Sequence, residues 1–114
     1  MKPECLSLFV YGSLKDSSVF LNITGMVCPP KREAVLTGYA YIPSRNDYPV
    51  IHPDPKGIVA GELIGGLNED VLRRIDEYEG EGYRRIQVIV ECGDERIRAY
   101  AYIGANEEPQ AGRL

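Results

Sequence analysis

The sequence predicts an α+β domain built on a curved or barrel-like sheet. Three observations carry this. Strand-like segments recur along the chain, one segment has convincing helical periodicity, and the last two strand segments are joined by Gly93-Asp94, a hairpin signal. A doubly wound sheet does not fit, because it needs strand and helix to alternate.

The elements follow in order. Cys5 to Val10 is a compact apolar run that reads as a buried strand, and Tyr11-Gly12-Ser13 breaks it. Asp16 to Asn22 is either a short helix or an irregular crossing segment, and Gly25 to Arg32, with Pro29-Pro30, is a loop. Ala34 to Pro43 is rich in β-formers, with Gly38 marking a bulge or a close approach. Ser44 to Lys56 holds three prolines and reads as loop, with Tyr48 to Ile51 a short extended piece. Ile58 to Ile64 is a strand ended by Gly65-Gly66. Asn68 to Tyr78 is the helix, and Tyr83 to Glu91 and Arg96 to Ile103 are the paired last strands.

A chain of 114 residues holds one domain, expected over residues 1–105, with a polar tail over 106–114. Its 44% hydrophobic and 26% charged content suits a buried core. The formal charge of -4 and pI near 5.0 argue against a nucleic-acid partner. A small anionic ligand remains compatible with that charge, since a local cluster of N–H donors outweighs a weak net charge. No apolar run approaches the ~20 residues of a membrane helix, and Met1-Lys2-Pro3-Glu4 is not a signal-peptide start. A cytoplasmic protein without a membrane partner is expected. Cys5, Cys28 and Cys92 match neither a disulfide framework nor a metal site, and one His with scattered acids is too little for zinc. No cofactor and no metal are implied, and oligomeric state is not legible.

Asn68 is a good N-cap, Glu69 and Asp70 suit the first turn, and Gly80 is a natural stop. At ~100° per residue, Val71, Leu72, Ile75 and Tyr78 share a stripe roughly 120° wide. Arg73, Arg74, Asp76 and Glu77 fall outside it, as solvated charges should. Glu79 falls between Ile75 and Leu72, towards the buried side. A carboxylate there is paired, protonated or functional, because burying an uncompensated charge is expensive, and burial raises its pKa into the range useful for proton transfer. The alternative is that Gly80 ends the helix early and Glu79 swings into solvent or pairs with Arg84 or Arg85.

Tyr11-Gly12-Ser13-Leu14 follows a buried strand directly. Gly12, lacking a Cβ, lets the chain turn sharply and expose successive N–H groups that can hold a carboxylate or an oxyanion. It is not a phosphate loop, since it has neither GxxxxGK[ST] nor GxGxxG. A triad of Ser13, His52 and Asp54 lacks any nucleophile-elbow pattern, and His52-Pro53-Asp54-Pro55 reads as a rigid loop.

Four segments in register resemble the γ-glutamylcyclotransferase-like (AIG2-like) family. Phe9 to Lys15 is similar to its YGSLK or YGTLK opening, and Val59-Ala60-Gly61-Glu62-Leu63 to its V-x-G-E-L strand. Asp76 to Gly80 with Tyr83-Arg84-Arg85 resembles its D-x-x-E-G and Y-x-R segments, and Ala99 to Ile103 its last core strand. The resemblance implies a small mixed β-barrel with flanking helices and a cavity, and a small-molecule substrate carrying a γ-glutamyl group. It puts the catalytic Glu at Glu79 and the substrate-holding turn at Tyr11, Gly12, Ser13 and Leu14. The implied reaction is internal aminolysis to 5-oxoproline with release of an amine. The alternative is a non-catalytic module that binds a glutamyl-like amino acid. Tyr83, Arg85, Tyr100 and Tyr102 are candidate cavity residues. Tyr100 and Tyr102 share one face of a strand and either line the cavity or pack the barrel. Arg85 either pairs with an acid near the site or is an exposed strand charge.

Overall fold

Strands β1 (Leu6–Val10), β2 (Lys31–Tyr41), β3 (Ile51–Leu67), β4 (Tyr83–Cys92) and β5 (Glu95–Gly104) close into a barrel in the order β1-β3-β2-β4-β5. A computed structural model describes residues 6–42 and 50–104 of the chain. Cys5, residues 44–49 of the expected Ser44–Lys56 loop and the polar tail over 106–114 lie outside the described residues. The sheet is mixed, because β1 meets β5 in parallel at Leu8↔Tyr100 while the other neighbours are antiparallel. Two seams are long ladders, β2 with β3 and β4 with β5. The seam between β2 and β4 rests on Val35↔Glu91.

Side chains alternate across each strand, so closing the sheet sorts the apolar residues into two cores. Phe9, Leu36, Val59, Leu63, Val90, Ala101 and Ile103 point inward and fill the barrel. Leu8, Val10, Ile64 and Tyr102 point outward and are covered by the helices α1 (Ser17–Thr24) and α2 (Glu69–Glu79), through Phe20, Val71, Leu72 and Ile75. Helix α1 resolves the open reading of its segment, and its local chemistry explains it. The Asp16 side chain accepts from the Ser18 N–H at 2.8 Å, and Gly25 ends the helix at φ 76°.

Helix α2 starts at the Asn68 cap, whose side chain accepts from the Val71 N–H at 2.9 Å, and stops before Gly80 at φ 77°. Its buried arc is rotated from the expected one. Val71, Leu72 and Ile75 are buried, but Tyr78 is 48% exposed and Asp76 is partly covered. The arc is centred nearer Glu79, because the barrel's outer face reaches the Asp76 flank through Tyr102.

The strand β3 is longer than the sequence suggested. His52 and Pro53 lie in it, opposite Ala40 and Tyr39, and not in a rigid loop. Pro53 is tolerated there because β1 pairs with β3 only from Glu62 onward, so among the described residues no strand needs an N–H on that side of this stretch. The extra residues of β3 are absorbed in a register slip opposite Gly38, which takes φ 88°, and the Lys56 N–H caps Asp54 Oδ1 at 3.0 Å. Gly65-Gly66 likewise forms a bulge rather than an end, and the strand runs on to Leu67.

Gly61 has a packing role. A Cβ there would lie 2.4 Å from the Val10 carbonyl oxygen and 2.7 Å from the Phe9 ring. Both neighbours are held in the barrel wall, so neither gives way cheaply. Gly61→Ala is expected to destabilise the fold by about 1–3 kcal/mol through overpacking, read as a lower urea midpoint at unchanged m-value.

Candidate active site

One mouth of the barrel collects the ends of several strands. Tyr11 follows β1, Tyr41 ends β2, Ile51 starts β3, Tyr83 starts β4, and Tyr102 lies near the end of β5. The Tyr11 ring sits edge-on to Tyr41 with centroids 5.9 Å apart, and its hydroxyl donates to the Tyr102 carbonyl at 2.5 Å. Burial pushes the Tyr11 pKa well up, and the neighbouring Tyr83 and Glu79 charges push it the same way. Tyr11 therefore stays a neutral donor at any physiological pH.

The next residues form a single 3₁₀ turn, Ser13–Lys15, closed by the Lys15 N–H on the Gly12 carbonyl at 3.0 Å. Such a turn leaves the N–H groups at its start without a partner inside it, here those of Ser13 and Leu14. Leu14 anchors the turn by burying its side chain in the outer core. The turn can thus present backbone donors while its apolar side chain faces away.

Glu79 is the last residue of α2 and lies partly buried at the same mouth. Desolvation raises its pKa from 4.5 to about 7. Its position adds to this. The C-terminal end of a helix carries partial negative charge, and the last turn of α2 has no basic residue to offset it. Glu79 acts electrostatically on both Tyr11 and Tyr102. Tyr11, Tyr83 and Glu79 are therefore brought together, and the turn follows Tyr11 directly in the chain.

Arg85, Tyr100 and Tyr102 are placed differently. Tyr100 and Tyr102 share a face, but it is the outer face of the barrel. Tyr102 is buried under α2, where its hydroxyl donates to Asp76 Oδ1 at 2.5 Å. Tyr100 is half-buried, accepts from Gln87 Nε2 at 3.3 Å, and lies under the Arg85 guanidinium at 4.7 Å. Arg85 pairs with Asp76, Nε to Oδ1 at 3.0 Å, and with Glu69, Nη2 to Oε2 at 2.9 Å. It is neither an exposed strand charge nor the partner of Glu79. Asp76, Glu69 and Tyr41 are the residues that pattern reading missed. Asp76 was legible in principle, since its helical angle lies only ~40° beyond Leu72. Tyr41 carried no local signal, because its place at the mouth depends on the β2–β3 register.

Fold and site together define a small α+β barrel protein with a desolvated acid at one mouth, close to the Tyr11 ring that precedes the 3₁₀ turn. The profile of the family described as "Gamma-glutamyl cyclotransferase, AIG2-like" matches residues 8–114, and the chain belongs to that family. AIG2-like protein C of Arabidopsis thaliana is 33% identical over 104 residues, 89% of this chain. The chain spans 60% of that relative's length. A solution structure of an Arabidopsis thaliana protein superposes with a TM-score of 0.83 at 29% identity, covering 96% of this chain and 67% of that one. A structure described as a gamma-glutamyl cyclotransferase superposes at 0.75 with 20% identity, over 89% of this chain and 67% of that one, which shows the shared fold. Among the described residues no helix is long and apolar enough to cross a membrane.

The raised pKa has a stability consequence. Between 4.5 and about 7 the folded protein holds a proton on Glu79 that the unfolded chain has released. Stability therefore falls as pH rises through that window, by on the order of 2–3 kcal/mol from this group. Glu79→Gln should remove that part of the pH dependence and leave the variant more stable than wild type above the window. Urea midpoints of both proteins across the window check this, and parallel curves would refute it.

Proposed function

We propose that this protein cyclises a γ-glutamyl amine to 5-oxoproline and releases the amine, with Glu79 as general acid and base. The observation that carries the reading is the desolvated Glu79 carboxyl at the barrel mouth, with a pKa of about 7, close enough to Tyr11 to act on its hydroxyl. Family membership supports the same chemistry.

The substrate supplies its own nucleophile. Its α-ammonium gives a proton to the Glu79 carboxylate, and the freed amine attacks the γ-carbonyl carbon. A new C–N bond closes the five-membered ring. The old amide C–N bond then breaks as Glu79 returns that proton to the departing nitrogen; the ring nitrogen gives up its second proton, again through Glu79, to the released amine, which leaves as the ammonium, so protons balance over the cycle. Holding amine and carbonyl together supplies much of the acceleration, and no enzymic Ser or Cys attack is needed. The N–H groups of Ser13 and Leu14 suit the substrate carboxylate or the developing oxyanion. A group with a pKa of about 7 suits both halves of the proton relay, because near neutrality neither the acid nor the base form is scarce.

The test is 5-oxoproline release from a panel of γ-glutamyl amines, comparing wild type with Glu79→Gln. Glu79→Gln should lower turnover by about 10²–10⁴-fold with folding intact. Wild-type kcat/KM should rise with pH on a limb set near Glu79's pKa of about 7 and then level. Equal turnover by the variant would remove Glu79 from the mechanism. No turnover by wild type across the panel would favour a binding module.

A further inference from the structure

The turn after β1 is closed by one hydrogen bond, from the Lys15 N–H to the Gly12 carbonyl. A lone turn of this kind does not hold its shape in water, because one bond fixes several dihedral angles. Leu14 anchors its middle by burying its side chain. The end of the turn needs a partner of its own, since the last carbonyls of a turn find no donor inside it. Lys31 supplies that partner: its ammonium donates to the Lys15 carbonyl.

The same ammonium meets Glu62 Oε1 at 3.6 Å. Lys31 starts β2 opposite Ile64, and Glu62 lies two residues earlier on β3, on the same outer face. Glu62 is itself paired with Val10, the last residue of β1. The ion pair therefore draws the lysine stem along the barrel wall, towards the point where the chain leaves β1 for the turn. Glu33 faces Glu62 across the ladder, and two carboxylates so placed repel each other, which favours a cation at Glu62. Asp16, the residue after the turn, lies in the same field. Hydrogen bonds from Ser18 lower its pKa first, and Lys31 lowers it further. One ammonium thus joins the end of the turn, the start of α1 and β3, and its side chain is only 19% exposed.

We infer that Lys31, braced by Glu62, is the positioning residue for the Tyr11 to Leu14 turn. It ties the carbonyl end of the turn to β3, and a turn fixed at that end keeps its N–H groups aimed one way. The ammonium sits at the end opposite the Ser13 and Leu14 N–H groups, so Lys31 acts through the turn and not on substrate. The purpose of this latch rests on the cyclotransferase reading, but its contacts do not.

The experiment compares amide exchange with water, by NMR on nitrogen-labelled protein, at two sites. The Lys15 N–H reports the turn, and the Val90 N–H reports the barrel wall. Lys31→Met keeps the stem and drops the charge, and it should raise the Lys15-to-Val90 ratio by about tenfold. Glu62→Gln removes the brace and should raise it by about threefold, while Lys31→Arg keeps the charge and should hold it near wild type. A purely structural pair would ease opening of the whole barrel, which speeds Val90 and leaves the ratio unchanged or lower. Turnover is the second readout: Lys31→Met should lower kcat/KM for 5-oxoproline release by about tenfold, and Lys31→Arg should restore it. A raised ratio with lowered kcat/KM, both recovered by arginine, supports the proposal. An unchanged or lower ratio, or a loosened turn at unchanged kcat/KM, overturns it. Should Lys31→Met fail to fold, Glu62→Gln decides in its place. If wild type releases no 5-oxoproline, the cyclotransferase reading fails, and the exchange ratio alone decides whether Lys31 holds the turn.

Discussion

The contact between α2 and the outer wall of the barrel determines where the acid sits, and a polar junction fixes it. Asp76 accepts from the Tyr102 hydroxyl and from Arg85 at once, so one carboxylate ties the helix to β5 and β4 together. Apolar packing through Leu72 and Ile75 supplies attraction but little register, since one apolar side chain slides past another at small cost. The carboxylate does not slide. The pair is only partly buried, with the Asp76 side chain 37% exposed, so it contributes more through its fixed geometry than through its strength. Tyr102 also accepts, through its carbonyl, from Tyr11. A continuous polar path thus runs from the residue before the donor turn, through β5, to the helix that ends in Glu79. Tyr11 and the helix that ends in Glu79 are far apart in sequence, and this path ties both to β5.

The barrel makes that arrangement affordable to fold. A domain this small has little interior, and it gains a second core by using both faces of the same strands. Phe9 and its neighbours fill the inside, while Leu8, Val10 and Ile64 pack under the helices. The end of β1 therefore has no solvent face, which is why Leu8 to Val10 reads as a continuous apolar run rather than an alternating one. The tight passage at Gly61 belongs to the same constraint. With β1 packed on both sides, the backbone of β3 must approach Phe9 closely, and only a residue without a Cβ fits.

Much of this was legible in the sequence where the signal is local. The Asn68 cap, the Gly80 stop, the Gly93-Asp94 hairpin and the Gly38 bulge are each encoded by one or two residues, and each is present. Glu79's place on the buried side of α2 also followed from periodicity alone. What was not legible depends on partners distant in sequence. The reading of Asp76 as a solvated charge failed because Tyr102 and Arg85 come from strands that follow the helix. Tyr100 and Tyr102 were rightly put on one face, but alternation cannot say which face is the outside of a closed sheet. The extension of β3 through Pro53 was hidden because proline opposes a strand unless one edge is open, and an open edge is a property of the whole sheet.

The last residue of a helix is an unfavourable place for a carboxylate, and that is informative about Glu79. Burial disfavours its ionised form, and the helix dipole acts in the same direction. The Arg85 guanidinium is occupied by two other acids of the same helix, Asp76 and Glu69. Burial leaves Glu79 with a pKa of about 7, the value at which a carboxyl both accepts and returns a proton readily.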